Sequence, residues 1–350
     1  MECNGGMKMD GGLALAEEIG AAARSSGFAE CGIVRIDEMR GYLDALEKRI
    51  ARFPGSEAMY RPLARFAAPD EAVAWAKSVV VCVSWYGKYR MPERLEGLIG
   101  KSYCFDERVD EQSEGYRSAQ RLEAELDRMN IRHQARTDFG ITAMRWAAAK
   151  AGIGIIRRNN FFYTAAGSYC HLHAYLIDRS LELKSEPEIK KCPENCGLCM
   201  RACPTGALRE PFQTDGTTCV SFLLCRGTAA PGKKHYNECG TWIYGCDACQ
   251  DACPFNRRAS AGEAEFPGLA ELAAEISYEK ILGMDYEEMG RLLPRKFWYI
   301  KPEELWKWKC NVLNALRNTG DKDDLPLVEL ALDDSHEEVR AMAKWAMETI

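Results

Sequence analysis

Two cysteine runs carry the chemistry this chain could do. The first is Cys192-Pro-Glu-Asn-Cys196-Gly-Leu-Cys199-Met-Arg-Ala-Cys203-Pro204; the second is Cys246-Asp-Ala-Cys249-Gln-Asp-Ala-Cys253-Pro254. Each ends in CxxCxxxCP. A cubane [4Fe-4S] cluster needs four converging thiolates. Three close cysteines wrap one side, and in two-cluster ferredoxins the Cys before Pro ligates the other cluster. By that rule Cys253 completes the cluster of Cys192, Cys196 and Cys199, and Cys203 joins Cys246 and Cys249. The second set is one ligand short, and Cys219, Cys225 and Cys239 are all candidates. Structural zinc also uses CxxC pairs, but it leaves both CxxxCP tails unexplained. The Cys192-x3-Cys196-x2-Cys199 triplet fits a radical-SAM site as well. The fourth Cys before Pro and the second matching run argue against that.

The rest of the chain must hold these runs and use them. Its 350 residues have room for two or three domains, and 47% apolar content provides a sizeable core. Lys+Arg 46 against Asp+Glu 52 gives a net charge of -6, so a protein basic all over is excluded, though not a local basic face. No apolar run reaches the roughly 18 residues of a membrane span, and the first residues lack the apolar stretch of a secretory signal. Ten of the 16 cysteines lie between Cys192 and Cys253. That clustering points to metal in a reducing cytoplasm rather than to a disulfide scaffold.

Three domains are expected. Residues 1–185 read as layered α/β, with strands at Gly27–Ile36, Ser78–Ser84 and Ile131–Thr137 and helices at Gly12–Ser25, Ser113–Asn130 and Thr142–Ala151. Residues 186–262 form a ferredoxin-like module for two [4Fe-4S] clusters. Residues 263–350 are helical, with helices at Glu303–Arg317, Asp324–Leu332 and Ser335–Ile350. The last is expected to open with a capping box from Ser335 to Glu338. Short paired helices suggest a repeat of the HEAT type, which must pack on what precedes it.

A ferredoxin needs only roughly 60 residues, so these clusters serve something else. Here the residues carry a resemblance. The matching stretches are Thr137-Asp138, Ala147-Ala-Ala-Lys-Ala-Gly-Ile-Gly154, Gly167-Ser168-Tyr169 and both cysteine runs. Cys219-Val-Ser-Phe-Leu, Tyr244-Gly245-Cys246-Asp247, Asn311-Val-Leu-Asn-Ala-Leu-Arg-Asn318 and Val339-Arg340…Ala343-Lys-Trp345-Ala346 match too. In their order these stretches resemble the epoxyqueuosine reductase family of tRNA modification. The resemblance implies a cobalamin in the α/β domain, touched by Asn159, Gly167, Ser168 and Tyr169. It selects Cys219 as the missing ligand and makes Cys225 and Cys239 buried bystanders. It also implies Asp138 as the acid that protonates the departing epoxide oxygen, an external low-potential electron donor, and a monomer acting on a tRNA anticodon loop. Read without it, Asp138 is a helix cap.

No residue pattern selects cobalamin independently. An Asp-x-His-x-x-Gly loop is missing, and His171 and His173 fall on one face of a strand. In Arg295–Lys309 (RKFWYIKPEELWKWK), basic and aromatic residues interleave as in single-strand nucleic-acid sites. The same segment holds Leu305, Trp308 and Val312 at the spacing of a buried helical stripe. There are departures from the family pattern as well. Three residues rather than two separate Cys192 from Cys196, Arg157-Arg158 replaces a Gly-Lys, and Lys101–Ser113 lacks an Arg-Asp-Tyr-His stretch. These leave two alternatives: a corrinoid reductase of a small molecule, like a reductive dehalogenase, or an electron carrier to another corrinoid protein.

Overall fold

The computed structural model describes residues 6–108, 110–135, 140–227, 230–257 and 262–350. The chain divides into two compact units. One comprises Met1–Gly87, Glu107–Cys196 and Pro211–Gln213; the other comprises Lys88–Asp106, Gly197–Glu210 and Thr214–Ile350.

The first unit is built on a four-stranded sheet. Its strands are β1 (Glu30–Arg35), β2 (Ser78–Trp85), β3 (His133–Ala135) and β6 (Cys170–Ile177), in the order β1-β2-β6-β3. Strands β4 (Ile155–Ile156) and β5 (Phe162–Tyr163) form a separate hairpin. The run SVVVCVS is buried along its length because β2 lies inside the sheet and is covered on both faces. Side chains alternate across the sheet. Val79, Val81 and Val83 join one core with Ala147, Ala148 and Ala151, while Val80 and Cys82 join another with Ala16, Ile19, Leu122 and Leu126. Helix Met144–Lys150 therefore covers one face. Helices Gly6–Ser25 and Glu114–Arg128 pack on each other and cover the second. The Ser113 hydroxyl caps the Glu114–Arg128 helix by accepting the Tyr116 N–H. The layering matches the sequence expectation, but every pairing in the sheet is antiparallel, so the strand–helix alternation builds no parallel crossover. The Met144–Lys150 helix is followed by Gly152 at φ +74°, where a Cβ would lie 1.7 Å from the Ser185 carbonyl oxygen.

In the second unit, helix Trp306–Thr319 packs against helix Glu337–Thr349, with Val312, Leu313, Leu316, Val339, Met342 and Ala346 buried. The Ser335 capping box does not form. His336 occupies the cap position, its N–H is taken by the Asp334 carboxylate at 2.9 Å, and its ring bonds Glu338. The Asp334 carboxylate thus holds the cap residue's own N–H, and the cap residue's side chain accepts no bond from the first turn.

Among the described residues no helix is long and apolar enough to cross a membrane.

Candidate iron–sulfur site

The two CxxCxxxCP runs fold alike. In the first, helix Leu198–Arg201 closes with Arg201 N–H to Gly197 O, Ala202 to Leu198 and Cys203 to Met200. In the second, helix Ala248–Asp251 closes with Asp251 to Asp247, Ala252 to Ala248 and Cys253 to Gln250. Proline after each last cysteine ends the turn, because it cannot continue the ladder. The two short helices pack on each other within the second unit.

Cys203, Cys219, Cys246 and Cys249 share one neighbourhood. Burial pushes the Cys249 thiol far up, and negative charge on Cys219, Cys246 and Cys203 pushes it further. Burial likewise raises Cys246, opposed by the Ala248 N–H on its sulfur and reinforced by Cys219 and Cys203. Cys219 is raised by burial against the N–H groups of Ser221 and Phe222, and by Cys203. Four half-buried cysteines whose sulfurs repel one another as thiolates suit a cationic core. Among the described residues no three His, Cys, Asp or Glu side chains close to single-ion spacing. A cubane does not need that, because each thiolate binds its own iron.

Cys225 and Cys239 are 2% and 0% exposed. Cys239 donates to the His235 carbonyl, and burial pushes both thiols up to about 12, with charge on Cys219 adding to each. Of the other proposed ligands, Cys199 and Cys253 lie in the second unit, and Cys192 and Cys196 close a segment of the first.

Several supporting residues were not legible in the sequence. The Asp247 carboxylate, 2% exposed, accepts the Lys101 N–H at 2.6 Å. Burial raises its pKa to about 7, against the pull of Lys101. Gly245, at φ +75°, lies under the Tyr103 ring, where a Cβ would come within 2.1 Å of Tyr103 Cε2. Three asparagines on helix Trp306–Thr319 hold the segment between Cys219 and Cys246. Asn311 Nδ2 donates to Leu224 O and Ile243 O, and its Oδ1 accepts from the Tyr236 hydroxyl. Asn314 donates to Tyr236 O, and Asn318 to Gly240 O. Only the spacing of these asparagines on one helix, with Asn311 and Asn314 fully buried, could have signalled the role.

Residues 191–256 match a family described as 4Fe-4S double cluster binding domain. Epoxyqueuosine reductase of Bacillus subtilis (strain 168) is 30% identical over 227 residues, covering 62% of this chain and 56% of that one. A solved structure of epoxyqueuosine reductase from Bacillus subtilis, its catalytic loop swung out of the active site, superposes with TM-score 0.76 at 25% identity. It covers 95% of this chain and 89% of that one. The chain resembles the epoxyqueuosine reductases in sequence and in fold. A further epoxyqueuosine reductase structure, solved with an epoxyqueuosine-modified tRNA stem loop, shares the fold at TM-score 0.74 and 24% identity, covering 96% of this chain and 90% of that one. The chain spans about half the length of the Bacillus subtilis relative.

Set against epoxyqueuosine reductase, the remaining expected site residues fall as follows. Asp138 lies outside the described residues. Asn159, Gly167, Ser168 and Tyr169 gather around the hairpin and the start of β6. The Asn159 amide donates to the Tyr163 hydroxyl, Gly167 at φ +126° exchanges backbone bonds with Thr164, and the Tyr169 carbonyl accepts from Tyr86 and Gly87. Asn159, Ser168 and Tyr169 are all buried. His171 and His173 do share a face of β6, but they pack on different rings, Tyr86 and Phe28. A cavity of about 140 Å³ lies between β6 and the Glu114–Arg128 helix, lined by Tyr116, Glu123, His173 and Tyr175 among others.

The Arg295–Lys309 segment is largely inward. Lys296, Lys307 and Lys309 are buried: Lys307 bonds Glu304, Lys309 bonds Asp334, and Lys296 sits over the Phe266 ring. Leu305, Trp308 and Val312 are buried as the helical stripe requires. Arg295 and Lys301 stay exposed, so packing rather than phosphate contact accounts for most of this segment.

Proposed function

We propose that this chain is an iron–sulfur oxidoreductase that reduces epoxyqueuosine to queuosine in tRNA. The observation that carries the reading is the half-buried group of Cys203, Cys219, Cys246 and Cys249, in a chain whose fold follows that of epoxyqueuosine reductase. Under this reading those four thiolates hold one [4Fe-4S] cluster, and Cys192, Cys196, Cys199 and Cys253 hold the other. When bound, the two clusters and a cobalamin supply single-electron relay and a low-valent cobalt reductant. Asn159, Gly167, Ser168 and Tyr169 would hold the cobalamin, a role drawn from the resemblance.

Turning an epoxide into an alkene takes two electrons and two protons and releases the oxygen as water. An unprotonated oxygen leaves poorly, so a positioned acid lowers the barrier. Asp138 takes that role, supported by the catalytic aspartate loop of the Bacillus subtilis structure. The same proposal includes an anticodon-loop substrate, an external low-potential electron donor, and a cytoplasmic monomer. It also includes the three-part division at 1–185, 186–262 and 263–350 and a HEAT-type repeat in the tail.

The test is anaerobic reconstitution with iron, sulfide and cobalamin. Incubation with a reductant and epoxyqueuosine-bearing tRNA follows, and the released nucleosides are weighed. Loss of one oxygen from the modified base, abolished in Asp138→Asn, is expected. A protein carrying about eight irons and bound cobalamin that leaves the base intact overturns the substrate assignment.

A further inference from the structure

Two departures from the family pattern meet in the first unit. One is the lengthened Cys192-Pro-Glu-Asn-Cys196 loop and the other is the Arg157-Arg158 pair. Arg157 is 2% exposed, and its guanidinium lies over the Tyr163 ring at 5.0 Å. Its Nη1 donates to Cys192 Sγ at 3.5 Å, and its Nη2 donates to the Lys190 carbonyl. Arg158 Nη1 donates to the Glu194 carbonyl at 2.8 Å. Two adjacent arginines thus hold the loop on both sides of Cys192.

We infer that Arg157 is a positioning residue that fixes Cys192 as a cluster ligand and raises the reduction potential of the cluster it binds. The inference rests on the ligand set given above. Accepting one electron adds one negative charge to the cluster and its thiolates. A guanidinium keeps its charge in proteins. Buried and hydrogen-bonded to a ligand sulfur, it stabilises the reduced form more than the oxidised one. Hydrogen bonds to the sulfurs and local charge are the established levers on such potentials. The longer loop would otherwise leave Cys192 with more conformations to lose on binding iron. The bond to Lys190 O and the neighbouring bond to Glu194 O offset that by fixing the backbone on each side. Lysine cannot reproduce the arrangement, because only a planar fork can serve a sulfur and a carbonyl at once.

The test uses the full chain, reconstituted anaerobically as wild type, Arg157→Lys and Arg157→Met. Each is titrated with dithionite and followed by EPR alongside an iron count. Wild type should hold about eight irons. In Arg157→Met one of the two clusters should become harder to reduce. Its reduced-to-oxidised ratio at a fixed potential should fall about tenfold, which for one electron is about 59 mV, while the other cluster stays in place. Arg157→Lys should show a smaller shift of the same cluster in the same direction. If Arg157→Met keeps its irons and both clusters titrate as in wild type, the inference is wrong. If both variants drop to about four irons, Arg157 is a scaffold residue only, and the tuning role is likewise overturned. If Arg157→Met alone loses irons, the Arg157→Lys titration decides by the same criterion. A wild type holding no clusters would instead sink the ligand assignment beneath the proposal.

Discussion

Lys309 Nζ lies 2.8 Å from Asp334 Oδ2, with both side chains 6% exposed. The pair joins helix Trp306–Thr319 to the turn that starts the last helix. Asp334 also accepts from the His336 N–H and the Tyr286 hydroxyl. Burial alone would raise the Asp334 carboxyl. The bonds from Lys309, His336 and Tyr286 outweigh it, and the carboxyl titrates below its ordinary value of 3.8. A depressed folded pKa stabilises above the unfolded value and is lost as pH falls through the folded one. Wild type should therefore lose stability as the pH drops below about 4. Lys309→Met strands a buried carboxylate and should cost roughly 3–5 kcal/mol at neutral pH. It should also flatten the acid loss, since Asp334 then has less to lose on protonation. Thermal melts of the reconstituted protein at neutral and acid pH measure both effects. Equal Tm for variant and wild type at neutral pH would rule the buried pair out as a stabiliser.

The same pair explains why the aromatic and basic segment misleads when read as sequence. Lys296, Lys307 and Lys309 look like phosphate ligands until their partners are known, and Glu304, Asp334 and the Phe266 ring are set by tertiary packing. From Lys307 to Leu316 every residue is buried, so the helix carries no polar face to read. Local signals fared better. The β-branched run at Val79–Val83, the Ser113 cap and the paired turns of the cysteine runs all depend on neighbours close in sequence. Ser335 failed as a cap: the helix takes His336 as its cap residue, and the Asp334 carboxylate holds the His336 N–H. Spacing treats Cys219, Cys225 and Cys239 alike, and only the family resemblance singles out Cys219.

Gly245 precedes Cys246 and cannot carry a side chain without displacing Tyr103. That ring is wedged edge-on against Tyr244 and Tyr299 at centroid distances of 5.1 and 5.3 Å. Gly245→Ala should suffer about 1–3 kcal/mol of left-handed backbone strain in addition to the overlap, and should lower the iron content of the reconstituted protein. Adding Tyr103→Leu removes the overlap but not the strain, so the double variant should recover part of the iron. A double variant no better than Gly245→Ala would show that the ring is not the obstacle.

Cys219 and Cys225 stand at the two ends of one short helix, Cys219 at its cap position and Cys225 as its last residue. Cys219→Ala should reduce the iron of the reconstituted protein from about eight to about four. Cys225→Ala removes a small buried thiol and should leave the iron intact, at a stability cost of about 1 kcal/mol. The reverse pattern would transfer the ligand role to Cys225.

Asn311 is fully buried, and its side-chain amide serves three partners: Leu224 O at 3.0 Å, Ile243 O at 2.9 Å and the Tyr236 hydroxyl at 2.7 Å. Leu224 lies on the helix that starts at Cys219, and Ile243 leads into Cys246, so one side chain fixes the spacing of two segments that carry proposed ligands. Asn311→Leu is close in volume and removes every bond, leaving two carbonyls and a hydroxyl without their partner at about 1–3 kcal/mol each. The expected result is loss of the cluster bound by Cys203, Cys219, Cys246 and Cys249, with the other cluster retained. An iron count near four and a single remaining EPR signal would show it. Asn311→Asp keeps the acceptor for Tyr236 but turns both carbonyl contacts repulsive, so it should lose that cluster too. Should either variant keep both clusters, the amide's hold on the two segments is not what brings their cysteines together.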